Sequence, residues 1–123
     1  MAVEESVVSI TIEAGADLSA GQYKFVTIAA DGQVDLTASA GGPAIGVLQN
    51  APNAAGVAAT VAISGRVKVT AGGTIAAGAK VQSDASGDAL TAASGDHVLG
   101  VALQDAVDGD IFAIALISQH ILA

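Results

Sequence analysis

Short stretches of alternating apolar and polar residues, separated by glycine-rich turns, make up most of this chain. The longest alternation covers residues 60–70, with valine, isoleucine and glycine at the odd positions and mainly polar residues at the even ones. Because successive side chains of a strand point to opposite faces of its sheet, this pattern predicts a half-buried β-strand. The same reasoning predicts further strands at residues 8–13, 23–28, 44–49, 80–83, 89–91, 97–104 and 111–118.

Turn signals between these stretches favour an all-β fold. Asp31-Gly32 and Ser86-Gly87 are dipeptides of the kind that connect hairpin strands. No window sustains the 3.6-residue period of an amphipathic helix beyond about one turn. Regularly spaced short strands joined by such turns predict a β-barrel or a β-sandwich.

The chain also repeats itself. Glycines recur in matched contexts at an offset of 57 residues for Gly21 and Gly78, and of 54 for Gly46 and Gly100. A drifting offset between matched positions indicates one supersecondary unit used twice, with loop insertions between the matches. We therefore predict two pseudo-repeats of about 55 residues, at 13–65 and 71–118, within a single β domain at 13–123. Residues 1–12 form a separate N-terminal arm in this interpretation.

Composition predicts a thin core and argues against two kinds of partner. Alanine contributes 28 of the 123 residues, and only 2% are aromatic. A core of small β-branched residues suits a sheet, and we expect contacts between subunits to supply part of the stability. The net charge of −8, with four basic residues, disfavours binding to nucleic acid. The uncharged stretch 36–65 is interrupted by glycine and proline, so we expect no membrane span.

Residues that could support chemistry are few. Asp105, Asp108 and Asp110 could gather a hard cation, but the equivalent loop of the first repeat has no acid, so a hairpin turn at Asp108-Gly109 is the better interpretation. His97 and His120 alone are too few for a zinc site. The chain has no cysteine, no phosphate-binding glycine loop and no nucleophile elbow. We predict no enzymatic activity, no metal and no cofactor.

The arm ends in a strand whose alternation places Val8, Ile10 and Ile12 on one face. Such a strand can pair with an edge in its own subunit or with an edge on another chain. The sequence leaves both arrangements open. Because an unpaired apolar edge promotes aggregation, we predict pairing with another chain.

Short sequence motifs in the second half of the chain resemble those of the cement, or head decoration, proteins of tailed bacteriophages. They cover residues 56–69 and 71–81, Gly87, residues 98–103 and Gly109-Asp110. The resemblance is good over residues 56–117 and loose over 13–55. It implies a β-clip-like (β-tulip-like) fold and a homotrimer that binds the major capsid protein on the outer surface of an icosahedral head. It further implies a location in the virion, and in the host cytoplasm during assembly.

On this resemblance we expect the residues that contact the capsid or a neighbouring subunit to lie in the arm and in the strand 60–70. They are Val8, Ile10, Ile12, Arg66 and Lys68. An alternative is a small β-clip module that binds a ligand or a sugar, as part of an adhesin or of an enzyme complex. That alternative requires a pocket with convergent polar groups.

Overall fold

The computed structural model describes residues 5–122, apart from the side chains of residues 5–7 and 118. Within this range the chain forms nine β-strands and no helix, which confirms the predicted all-β class. None of the described residues therefore forms a helix that could cross a membrane. The strands are β1 (Glu5–Ala14), β2 (Phe25–Ala30), β3 (Gln33–Leu36), β4 (Gly46–Leu48), β5 (Ala58–Thr70), β6 (Lys80–Ser83), β7 (Ala89–Thr91), β8 (His97–Ala102) and β9 (Ile111–Ile121).

The strands form two rings that share β5. Their order is β1-β3-β2-β4-β5-β9-β8-β6-β7, and β1 also pairs antiparallel with β5, so the first five strands close on themselves. We call these five strands the first ring. In the second ring, β5 to β9, the bridge between Ala71 and Ala89 brings the start of β7 back to the end of β5. The fold is thus barrel-like, as the spacing of short strands predicted.

Two apolar cores fill these rings, and β5 contributes to both. Val61 is fully buried in the core of the first ring, whereas Val67 and Val69 are fully buried in a larger core centred on the second. The odd positions of β5 therefore face inward, as their alternation predicted. Ile63 is the exception, because it lies where the two rings separate and its side chain is 39% exposed.

Strand β3 was not predicted. It comprises four residues directly after the turn at Gly32, whose φ of +72° is in the left-handed region that favours glycine. Its length does not explain the omission, since the three-residue β7 was predicted beside the Ser86-Gly87 turn. Its conformation depends on pairing with β2 on one edge and with the end of β1 on the other.

Backbone hydrogen bonds of the first ring recur in the second. Gly56 N donates to Ala14 O at 2.8 Å, and Gly109 N donates to Ala71 O at 2.9 Å. These bonds equate β1 with the second half of β5, and they support the proposed duplication. Further equivalent bonds are Gly15 N to Val34 O with Gly72 N to Ala89 O, and Leu48 N to Lys24 O with Ala102 N to Ala79 O.

The predicted equivalence of Gly46 and Gly100 is confirmed. A Cβ atom at Gly46 would overlap the carbonyl oxygen of Ala62, and one at Gly100 would lie 2.6 Å from the carbonyl oxygen of Ala115. Each glycine lies on a short strand whose backbone approaches the next strand too closely for a side chain. Both positions therefore require glycine for the same steric reason.

The predicted equivalence of Gly21 and Gly78 is wrong by two residues. Gly78 N donates to Ala102 O, and the corresponding bond in the first ring runs from Tyr23 N to Leu48 O. Tyr23 and Gly78 also share a positive φ, at 65° and 86°. The first ring has two extra residues in the preceding turn. Aligning the two units by their glycine-containing motifs was therefore wrong at this place.

Candidate interaction surfaces

The arm strand is part of the body of the protein. β1 pairs antiparallel with β5 from Glu5 to Glu13, so the prediction that this strand pairs with another chain is wrong for that edge. The physical reason is that the two strands cover the first core together. Ile12 lies opposite Ala59 and packs against the core of the first ring.

The three apolar residues of the arm do not share one face. The register of β1 against β5 shifts between Val8 and Ser9, so Val8 lies opposite Ser64 while Ile10 lies opposite Val61. Directly opposite residues share a face, and Ser64 and Val61 lie on opposite faces of β5. Val8 therefore lies on the outer face, where it is 53% exposed, and Ile10 is exposed at the rim of the inner face.

The other edge of β1 has a short partner. Among the described residues it pairs with β3 at Glu13 and Ala14, and with no strand before them. An extended segment with unpaired N–H and C=O groups can accept a further strand. This edge is the part of the arm that the fold leaves available for another chain.

Strand pairing adds a third cation to Arg66 and Lys68. Arg66 lies opposite Ala115, Ala115 opposite Val101, and Val101 opposite Lys80. Because directly opposite residues share a face, this row places Arg66 and Lys80 on the same outer surface, with Lys68 two residues along β5. Sequence reasoning missed Lys80, since its only link to the other two is the order of four strands. We call this surface the basic face, defined by Arg66, Lys68 and Lys80 with the intervening Val101 and Ala115.

An apolar cleft separates the two rings. Its volume is about 350 Å³, and its walls carry no titratable side chain. Its polar side chain is Gln119, whose Oε1 accepts a hydrogen bond from the Ala44 N–H at 3.3 Å. The cleft is therefore suited to apolar contact and offers no acid, base or nucleophile. It is lined by Phe25, Ala44, Ile45, Gly46, Ile63, Leu99, Leu116, Ile117 and Gln119.

The aspartates considered for metal binding support loops. Asp105 Oδ1 accepts the Ala77 N–H at 2.8 Å, and Asp110 Oδ2 accepts the Val107 N–H at 3.0 Å. Gly109, with a φ of +88°, forms the predicted turn with Asp108. Across residues 5–122, no three His, Cys, Asp or Glu side chains are grouped closely enough to hold a metal ion.

The histidines do not converge either. In the pairing of β8 with β9, His97 lies opposite Ile121 and His120 lies opposite the next residue, Val98. Since neighbouring residues of a strand point to opposite faces, the two imidazoles start from opposite sides of the sheet. His97 Nδ1 lies 3.1 Å from Gly41 O, so this imidazole contacts the loop between β3 and β4 of the first ring.

Together these features define a small all-β protein whose described surface offers a strand edge, an apolar cleft and a basic face. A family model for phage cement proteins matches residues 2–117, and the chain belongs to this family. Its fold is similar to that of the head fiber gp8.5 N base of bacteriophage phi29, with a TM-score of 0.69 and 19% sequence identity over 90% of this chain and 94% of that one. No curated protein matches the chain. Family membership supports a structural role associated with the phage head and a location in the virion.

Proposed function

We propose that the chain is a capsid cement protein that binds the major capsid protein on the outer surface of an icosahedral phage head, as a homotrimer, and stabilises the head. The observation that carries this proposal is the match to the phage cement family over residues 2–117. The same observation supports a role without catalysis, since the proposed action is the burial of additional interface between capsid subunits.

The surface of the chain suits such a role. Val8 and Ile10 are exposed beside the available edge of β1, so a neighbouring subunit or a capsid strand could bury them while pairing with the backbone. A trimer multiplies a weak contact, because the second and third subunits bind at a high effective concentration once the first is held. We assign Ile12 to the core and not to this contact, since it packs inside the first ring.

The alternative of a ligand- or sugar-binding module receives less support. The cleft between the rings is apolar, and the oxygen of its one amide side chain already accepts a hydrogen bond from Ala44. A sugar site needs several polar groups aimed at one point. The cleft walls offer no such group of side chains.

Co-sedimentation with phage heads that lack this protein tests the proposal. We expect saturable binding to expanded heads, and we expect decorated heads to release their DNA at a higher temperature than bare heads. Absence of binding to any form of the head would contradict the proposed partner. Saturable binding with no change in head stability would contradict the cement role.

A further inference from the structure

The basic face belongs to the second ring. It is the structural counterpart of the face by which the first ring packs against the second. In the first ring the corresponding row across the sheet consists of Ser9, Ala62, Val47 and Phe25. In the second ring it consists of Arg66, Ala115, Val101 and Lys80. The offsets of 57, 53, 54 and 55 residues follow the equivalences found in the hydrogen bonds. The two rings therefore present the same face of the same unit in different surroundings.

These surroundings differ at three of the four positions, since Ser9, the counterpart of Arg66, is itself exposed. In the first ring Phe25, Val47 and Ala62 are fully buried, in the core that they share with Val67 and Phe112 of the second ring. In the second ring the corresponding row is more exposed, and Arg66 is half-buried in it. Lys80 is exposed there, and Val101 and Ala115 are half-buried. The face that is largely buried inside the molecule in the first unit is thus partly exposed to solvent in the second unit.

The sign of the charge on this face indicates more than a polar surface that keeps the end of the molecule soluble. Terminal units of stacked repeats need a polar outer surface for solubility, and either sign of charge would provide it. Here three of the four basic residues of the chain lie on the face, and removing them from the net charge of −8 leaves −11 for the remainder. An acidic protein that concentrates its cations on one surface favours a partner that carries carboxylates.

The face also continues into the apolar cleft. Leu99 lies two residues before Val101 on β8, and Ile117 lies two residues after Ala115 on β9, and both line the cleft. The half-buried Ala115 and Val101 lie between Arg66 and Lys80, and this stretch of the row is the part that a backbone can approach. The row from Arg66 to Lys80 crosses four strands, which is about 14 Å at the usual strand spacing. A short acidic segment with one apolar anchor matches these dimensions.

The geometry points to the basic face as the docking site for an acidic segment of the capsid protein. This inference rests on the proposed function, since it names the chemistry of the partner at the head surface. Nucleic acid is a poor occupant, because three cations on a chain whose remainder carries −11 give little net attraction for a polyphosphate. Glu5 lies opposite Arg66 across the pairing of β1 with β5, so the two lysines provide the cleaner test.

The experiment compares the double variant K68Q/K80Q with a control, A54E/A55E, in co-sedimentation with bare heads. Both variants change the net charge from −8 to −10, but residues 54 and 55 lie in an exposed turn away from the basic face. We expect about tenfold weaker binding for K68Q/K80Q at low salt, near-normal binding for the control, and convergence of the two as salt screens the interaction. Light scattering and thermal unfolding of each variant are measured alongside.

Each other outcome has a definite meaning. If the unmodified protein does not bind heads, the proposed function fails and the test of the face moves to soluble capsid protein, where equal binding of both variants would overturn the inference. If the unmodified protein binds and the two variants bind equally, the inference is overturned and the proposed function stands. A change of oligomeric state confined to K68Q/K80Q would assign the face to contacts between copies and would also overturn it. Precipitation of K68Q/K80Q with unchanged binding of its soluble fraction would identify the face as a solubility cap.

Discussion

At the scale of single residues, the duplicated glycines show which parts of the sequence pattern had a steric cause. Gly46 and Gly100 were recognisable as equivalent from their matching sequence motifs. The same constraint acts in both units, because a neighbouring carbonyl oxygen lies where a Cβ would be placed. Tyr23 was not recognisable as the counterpart of Gly78, since a positive φ at a tyrosine leaves no signature in the sequence. Lys80 was missed for a related reason: its relation to Arg66 exists only through β8 and β9.

This steric argument makes a prediction about stability. Gly46→Val and Gly100→Val should each lower the free energy of unfolding by about 1–3 kcal/mol, because the added side chain forces the strand away from its neighbour. The loss should be larger at Gly46, where the overlap with the neighbouring carbonyl is closer. Urea denaturation measures both. Gly78→Asn is the control, since this position has open space and asparagine tolerates a positive φ. Equal losses in all three variants would contradict the argument.

At the scale of elements, the pattern of alternation and turns predicted eight of the nine strands in the described residues, and β5 above all. It did not predict β3, and it placed Val8, Ile10 and Ile12 on one face because a shift of register leaves no mark in the pattern. The arm strand pairs along β5, and its structural counterpart in the second ring is the second half of β5. The presence of β3 and the orientation of the side chains of β1 therefore depend on long-range strand pairing, which the local alternation of residues does not encode.

The placement of β1 predicts an ordered set of mutational effects. Ile12→Ala should cost about 1–2 kcal/mol of unfolding free energy, roughly half the value for a fully buried isoleucine, because Ile12 is half-buried against the first core. Val8→Ala should cost less than about 0.5 kcal/mol, as expected for an exposed site. Deleting residues 2–12 should destabilise the whole protein, since β5 would lose its longest strand pairing in the first ring. A truncated chain that unfolds at the same temperature as the full chain would show that β1 contributes nothing to the fold.

The acidic loop of the second ring gives a prediction about metal removal. The carboxylates of Asp105 and Asp110 accept backbone N–H groups within and beside their own loop, so the loop holds its shape through these bonds. Dialysis against EDTA should leave the melting temperature unchanged, and elemental analysis of the untreated protein should find no stoichiometric divalent ion. A chelator-dependent fall in melting temperature that Asp105→Asn abolishes would establish a metal site there.

At the scale of the whole molecule, the fold leaves more surface to be covered than its cores account for. Large aliphatic side chains on both rings remain at least 39% exposed, among them Ile28, Ile111 and Ile121, and the aromatic content is too low for a large internal core. Scattered exposed apolar residues are ordinary on a monomer. Here they accompany an available strand edge on β1 and an open cleft between the rings, and this combination is typical of a surface that partners bury.

As part of the proposed function, we expect these surfaces to be buried in a homotrimer in solution. Light scattering coupled to size exclusion should give about 35 kDa, three times the 11.8 kDa of one chain. Hydrogen exchange should then find two kinds of protected backbone within residues 36–65: strand residues such as Val47 and Val61, which the chain's own core covers, and segments exposed on the isolated chain, which a neighbouring subunit would cover.

Ile10→Asp should shift the equilibrium towards monomer without unfolding it, because a charge beside the edge of β1 opposes a paired strand, while Ser19→Asp, at an exposed turn, should not. A stable monomer at micromolar concentration, with fast exchange in the exposed segments, would contradict the trimer and leave the head surface itself as the site of assembly.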